Sequence, residues 1–340
     1  MSIKSRWDSR LPNTLVDLHI HVGGAVAPHV LFSIAHQAGI KLPTRDYWDF
    51  VDMITVKPDK VQNLDDYLKI MHEWTEKLQS SPAAIERCIY EVIGKEYRGS
   101  RVSLMELRFN PMKRNLHGER DLDHIIQAAI HGMEDACLEY GTRCGLMFCL
   151  AREFKFELNE IIVAKAIKYR DRGVIGIDMA GPESMNVELR VKEVALYEGL
   201  FAKARAAGLK TTVHTGETPH TSGEGVLAVL RHLKPDRIGH GIRAAYNQEA
   251  LEVLRDSGTV LEICPSSNIS THAVKDIQEL GHILKIFKSN KVPYTINTDG
   301  PYLLDTNMAQ ECTLLMDAGV QTPADIADCM KTAHSCTFIQ

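Results

Sequence analysis

The sequence predicts an α/β chain folded into one (β/α)8 TIM barrel with a helical insertion after its first strand. Three features carry this. Eight short runs of apolar and β-branched residues recur along the 340-residue chain. After the second run, each follows its predecessor by one helix-sized segment, which argues for parallel strands joined by crossover helices. Ionisable residues recur where the runs end, and in a barrel those ends converge on one mouth.

The first strand is read at LVDLHIHV (15–22). The stretch that follows, about 25–100, reads as helical throughout and is placed as a lid over the barrel mouth. Strands resume at SLMELRF (103–109) and, after the amphipathic run LDHIIQAAIHGMEDACLEY (122–140), at RCGLMFCLA (143–151). Next come VIGIDMA (174–180), the helical VKEVALYEGLFAKARAAG (191–208) and the strand KTTVHT (210–215). A helix over 222–233 leads to RIGHG (237–241), then TVLEIC (259–264) and VPYTINT (292–298). Strands buried on both faces read as near-continuous apolar runs, as these do. No repeat, linker or composition break appears, so residues 1–340 are read as one domain. After the last helix the chain reads SCTFIQ, and little is expected there to cap that helix against the barrel.

Composition narrows the function. The chain is 44% hydrophobic and 24% charged, with a net charge of −5 and no dense run of Lys or Arg. That balance argues against a nucleic-acid or membrane partner and for a small-molecule ligand. The opening MSIKSRWDSRLPN lacks the apolar core of a signal peptide, so a cytoplasmic location is expected. Eight cysteines include no CxxC pair, which reads as reduced, structural thiols.

The chemistry gathers at strand ends. His19 and His21 lie two apart on the first strand, so both imidazoles face the same way. HTGE at the fifth strand offers His214 and Glu217, GHG at the sixth offers His240, and the eighth ends with Asp299. Singly, each has a bland reading. Glu217 is also a helix N-terminal charge, His240 a loop residue, and Asp299 a turn-former ahead of Gly-Pro. His72, His117 and six other histidines are read as surface or packing residues. Together, three neutral imidazoles and a carboxylate suit a divalent metal, zinc first, with iron or manganese compatible with the same ligand types. A cation would also compensate Asp299, an acid at the end of a buried strand.

At this point the sequence resembles the adenosine deaminase family of metal-dependent hydrolases, within the amidohydrolase superfamily. The resemblance rests on HIHVGG (19–24), ELRFNP (106–111), GIDMAGPE (176–183), HTGE (214–217), RIGHG (237–241), CPSSN (264–268) and NTDGP (297–301). It implies a (β/α)8 barrel and one catalytic zinc per chain, held by His19, His21, His214 and Asp299. It further implies that a zinc-activated water attacks the amine-bearing carbon of a 6-aminopurine nucleoside, with adenosine to inosine as the default. Glu217 then matches the proton shuttle to the ring nitrogen, His240 the group that polarises the water, and Asp299 a proton acceptor. Gly181 matches a backbone N–H donor to the purine, and its lack of a side chain lets the ring approach. Leu64, Tyr67, Leu68 and Met71 match an apolar lid, with core packing of that helix as the bland alternative. His21 also faces the substrate.

Two positions depart from the family pattern. Members acting on adenosine commonly carry Asp where Gly23 stands, meeting the ribose 5′-hydroxyl, and a second Asp where Gly300 stands, donating to purine N7. Both changes are to glycine, which reads as added room and an absent hydrogen bond. The alternatives are therefore a 5′-modified adenosine, such as an aminodeoxyfutalosine-like nucleoside, or adenine. Further alternatives are a non-deaminating metal-dependent hydrolase and a non-catalytic binding protein on the same barrel. Monomer and homo-oligomer both remain open.

Overall fold

The computed structural model describes residues 7–57, 59–116, 121–186 and 190–340. The reading of His117 and part of the signal-peptide reading, residues 1–6, lie outside them. Eight parallel strands form one sheet in sequence order: β1 (Leu15–His21), β2 (Val102–Phe109), β3 (Arg143–Ala151), β4 (Val174–Ala180), β5 (Lys210–Thr215), β6 (Arg237–His240), β7 (Val260–Ile263) and β8 (Tyr294–Ile296). The seam between β8 and β1 is closed just past β8. There the Asp299 N–H donates to the His19 carbonyl (2.8 Å) and the His21 N–H to the Asp299 carbonyl (2.7 Å). The expected (β/α)8 barrel is therefore the observed one.

The insertion is shorter and more broken than its composition suggests. Helices Pro28–Gln37, Tyr47–Ile54 and Leu64–Ile70 are separated by irregular chain, and a π-turn at Met71–Thr75 follows the last of them. Pro82–Ser100 is not part of a lid. It is the barrel's first crossover helix, packed on β2 and on Leu122–Tyr140. Its start is set by Pro82 and by Ser81, whose side chain accepts from the Ala84 N–H.

The lower barrel interior is filled by charge instead of the usual aliphatic layers. Arg237 on β6 donates to Glu106 on β2 and, at 2.7 Å, to Glu262 on β7. Arg108 on β2 donates to Glu262 at 2.9 Å and to Asp178 on β4 at 3.1 Å. All five side chains are shut off from solvent. The chain's last residues do more than expected: the Phe338 N–H and Thr337 hydroxyl donate to Glu106 at 2.6 and 2.9 Å. The Phe338 ring lies under the Arg237 guanidinium. These contacts seal the end of the barrel opposite the mouth, contrary to the sequence expectation.

Candidate active site

His19 and His21 project from β1, His214 from β5, and Asp299 follows β8 at the same end of the barrel. The ligand atoms of the three histidines lie within 4.8 Å of one another. Two carboxylates fix the rings. His19 Nδ1 is 2.7 Å from Glu262 and His214 Nδ1 is 3.0 Å from Asp178. Each Nδ1 therefore carries the proton and each Nε2 a lone pair. Those Nε2 atoms are 3.1 Å apart, and His21 Nε2 is 3.0 Å from that of His214. Converging lone pairs at that spacing repel unless a cation lies among them. Asp299 Oδ1 stands 3.6 and 3.8 Å from the Nε2 atoms of His21 and His19. Burial first, then neighbouring positive groups, holds the His19 and His21 pKa values well below the usual range, so both are neutral ligands. The donor set fits a divalent metal.

A second trio, His19, His240 and Cys264, is also clustered. Burial, then Asp299, pushes the Cys264 thiol well above its ordinary range, so it is not a ready thiolate. Asn268 Nδ2 donates to His240 Nδ1 at 2.9 Å, so the His240 proton sits on Nε2. Neither group is poised as a ligand.

His240 Nε2 faces Glu217 Oε2 at 3.5 Å. Glu217 is held by the Thr271 hydroxyl at 3.1 Å, and its backbone N–H donates to Glu183 at 3.0 Å. Burial, then the charges of Glu183 and Asp299, raises the Glu217 pKa well above the glutamate range. His240 and Asp299 both adopt positive φ, 60° and 65°. Such backbone is costly for non-glycine residues and recurs at functional sites. Asp299 is pinned by its two bonds to β1 and by the Ser267 hydroxyl at 2.6 Å.

These side chains open on a cavity with about 670 Å³ of empty space, its open mouth included. Leu64, Tyr67, Leu68 and Met71 line it and form an apolar cluster with Val61 and Leu303, apart from the main core. Gly181 also lines it; its φ of +100° favours glycine, and an added Cβ would meet the Glu153 carboxylate at 2.5 Å. The space expected at the two departures is filled. A Cβ on Gly23 would meet Met71 Sδ at 2.8 Å and Glu76 Cγ at 3.2 Å, and one on Gly300 would overlap the Tyr67 hydroxyl. His72, read as a surface or packing residue, lines the cavity and bonds Glu76 at 2.5 Å, while Arg114 bonds Glu76 at 2.9 Å. Burial opposes ionisation of Glu76, but Arg114 and then His72 outweigh it and hold the carboxyl well below its usual range.

Arg108, Asp178, Glu183, Glu262, Ser267, Asn268 and Thr271 were not singled out from sequence. Arg108 bridges the two carboxylates that orient His19 and His214. Arg108→Met is expected to lower unfolding free energy by about 3–5 kcal/mol, because it leaves buried acids without their cation. Denaturant unfolding of the metal-loaded protein measures this. Glu311 supports the Ser267 loop, accepting from the Ser266 N–H at 3.0 Å and the Thr306 hydroxyl at 2.7 Å. Burial, against those bonds, pushes its pKa up to about 7. The folded value lies above the unfolded one of about 4.3, so the native state binds the extra proton between them. This contribution to stability is complete below about pH 4.3 and is lost as pH rises through about 7. Glu311→Gln is expected to flatten that decline in urea melts at about pH 5 and pH 8.

Residues 14–340 match the family model described as adenosine deaminase. An adenosine deaminase of Vibrio vulnificus is 28% identical over 313 residues, covering 92% of this chain and 90% of its own. Among solved structures, an adenine deaminase from Arthrobacter aurescens superposes with a TM-score of 0.82 at 19% identity, covering 96% of this chain and 94% of that one. An amidohydrolase from Burkholderia ambifaria with bound Zn superposes at 0.84 and 22% identity, covering 97% and 86%. At these identities the structural likenesses establish the fold.

Proposed function

This chain belongs to the adenosine deaminase family, a family of hydrolytic deaminases, and from that premise we propose that it converts adenosine to inosine with release of ammonia. The whole chain acts as one catalytic domain in the cytoplasm. No helix among the described residues is long and apolar enough to cross a membrane. His19, His21, His214 and Asp299 would hold one zinc ion, the metal bound in the Burkholderia neighbour. When bound, such an ion lowers the pKa of water and supplies a nucleophile near neutral pH.

The protein's own groups then divide the work. Glu217, kept protonated by burial beside Glu183 and Asp299, gives its proton to purine N1 and makes C6 electrophilic. His240, with its proton fixed on Nε2 by Asn268, donates to the oxygen that gains charge at C6. Asp299 accepts a proton from the attacking water and passes it to the amine, which leaves C6 as ammonia when the C–N bond breaks. The Leu64–Met71 cluster excludes bulk water.

The facing of Glu217 and His240 across 3.5 Å, beside the three imidazoles, carries this reading. A ring-nitrogen proton donor has little purpose in hydrolysis of an ester or lactone. A second reading is adenine, the substrate of the Arthrobacter neighbour. It is favoured by Met71 and Glu76 filling the space beside Gly23, where the ribose 5′ end is expected. That filling also removes the room that suggested a 5′-extended nucleoside. Ammonia release from adenine, adenosine, 2′-deoxyadenosine, AMP and 5′-substituted adenosines tests these readings. Adenosine is expected to lead; preference for a 5′-extended nucleoside, or zinc without ammonia from any of them, would overturn the proposal.

A further inference from the structure

Tyr67 is 2% exposed, lines the cavity, and among the described residues its hydroxyl has no hydrogen-bond partner. Leaving a buried hydroxyl unpaired is unfavourable, so a partner is expected from whatever enters the cavity. The hydroxyl is a donor in this setting. A phenol keeps its proton at neutral pH, so its O–H can be given to an acceptor lone pair.

Gly300 makes the room for it. Gly300 does not have positive φ, so its backbone does not demand glycine. A Cβ at that position would instead overlap the Tyr67 hydroxyl oxygen, whereas the ring carbon Cζ would stand 3.5 Å away. The backbone of Gly300 is packed closely on its other side by Gly24, where an added Cβ would fall 2.7 Å from Gly300 Cα. The hydroxyl thus projects beside Asp299, through a gap that only glycine leaves open.

A 6-aminopurine has two ring nitrogens flanking the edge that bears its amine, N1 and N7, and each offers a lone pair. The deaminase reading, on which this inference rests, assigns N1 to Glu217. We propose that the Tyr67 hydroxyl donates a hydrogen bond to purine N7, and that Tyr67 and Gly300 form a matched pair that selects the base. The hydrogen bond that the family resemblance implies for an acid at position 300 is supplied from the lid helix, 233 residues earlier in the chain. Base recognition is thereby placed on the same apolar cluster that holds Leu64, Leu68 and Met71 over the cavity.

The test compares adenosine with 7-deazaadenosine, in which N7 is replaced by C–H. Tyr67→Phe is expected to lower kcat/KM for adenosine about 10-fold or more, and for 7-deazaadenosine less than about 3-fold. Gly300→Ala is expected to cost about 10-fold with Tyr67 present and little in the Tyr67→Phe background, where the colliding oxygen is gone. Equal losses on the two nucleosides would overturn the assignment, as would a Gly300→Ala penalty that persists without the hydroxyl. Calorimetric binding of inosine and 7-deazainosine repeats the comparison without turnover. Tyr67-dependent discrimination there, with no ammonia from any 6-aminopurine, keeps the Tyr67 assignment and sinks the deaminase reading. Ammonia release without such discrimination does the reverse.

Discussion

Glu217→Gln is expected to leave metal content unchanged while lowering kcat by about 10²- to 10⁴-fold, the usual weight of a positioned acid–base group. The substitution keeps shape and contacts. The Gln carbonyl oxygen still accepts from the Thr271 hydroxyl, and the backbone N–H at position 217 still donates to Glu183. What disappears is a carboxyl whose proton is held by burial near two other acids. Glu217 is outside the cluster of converging imidazoles, so zinc measured by elemental analysis should remain near one per chain. A variant with full turnover would remove Glu217 from the chemistry. One that lost its metal would make Glu217 a structural support of the metal site instead.

His214→Ala should do the opposite, emptying the metal site while the chain stays folded. The substitution deletes the imidazole nearest to both other histidines and leaves His19, His21 and Asp299 to bind alone. Loss of an outer partner of a metal ligand commonly weakens binding about 10- to 100-fold, and loss of the ligand itself is expected to exceed that. Folding survives because Asp178, once partnered by His214 Nδ1, keeps the Arg108 guanidinium at 3.1 Å. Metal content after dialysis, read beside a thermal melt, checks both halves. Undiminished zinc in a folded variant would place the ion elsewhere.

The fold was legible because each strand is a compact apolar run and each crossover a helix of ordinary length. Seven strands lie within one residue of expectation at both ends, and β8 is shorter, ending before Asp299 turns into positive φ. The catalytic candidates were legible because His19, His21, His214, His240 and Asp299 stand at strand ends, where topology alone brings them together. Their supports stand inside the motifs that carry the family resemblance: Arg108 in ELRFNP, Asp178 and Glu183 in GIDMAGPE, Ser267 and Asn268 in CPSSN. A usable signal was present. Arginine and acids within strands buried on both faces require partners, though only the closed barrel shows that Arg108 on β2 meets Asp178 on β4 and Glu262 on β7. Gly23 and Gly300 misled for a different reason. No local pattern tells which distant side chain fills the space beside a glycine, and Tyr67 and Met71 come from the helix Leu64–Ile70 and the π-turn after it, outside the barrel wall.

The ionic interior also constrains how this protein can vary. Aliphatic cores accept many substitutions singly, because volume can be traded between neighbours. Here Glu106, Arg237, Glu262, Arg108 and Asp178 are each matched in sign and direction to the next, so replacing one strands another. Viable change along the barrel axis must come as compensated sets, and an engineer widening this scaffold for new substrates should work from the lid downward, leaving the base intact.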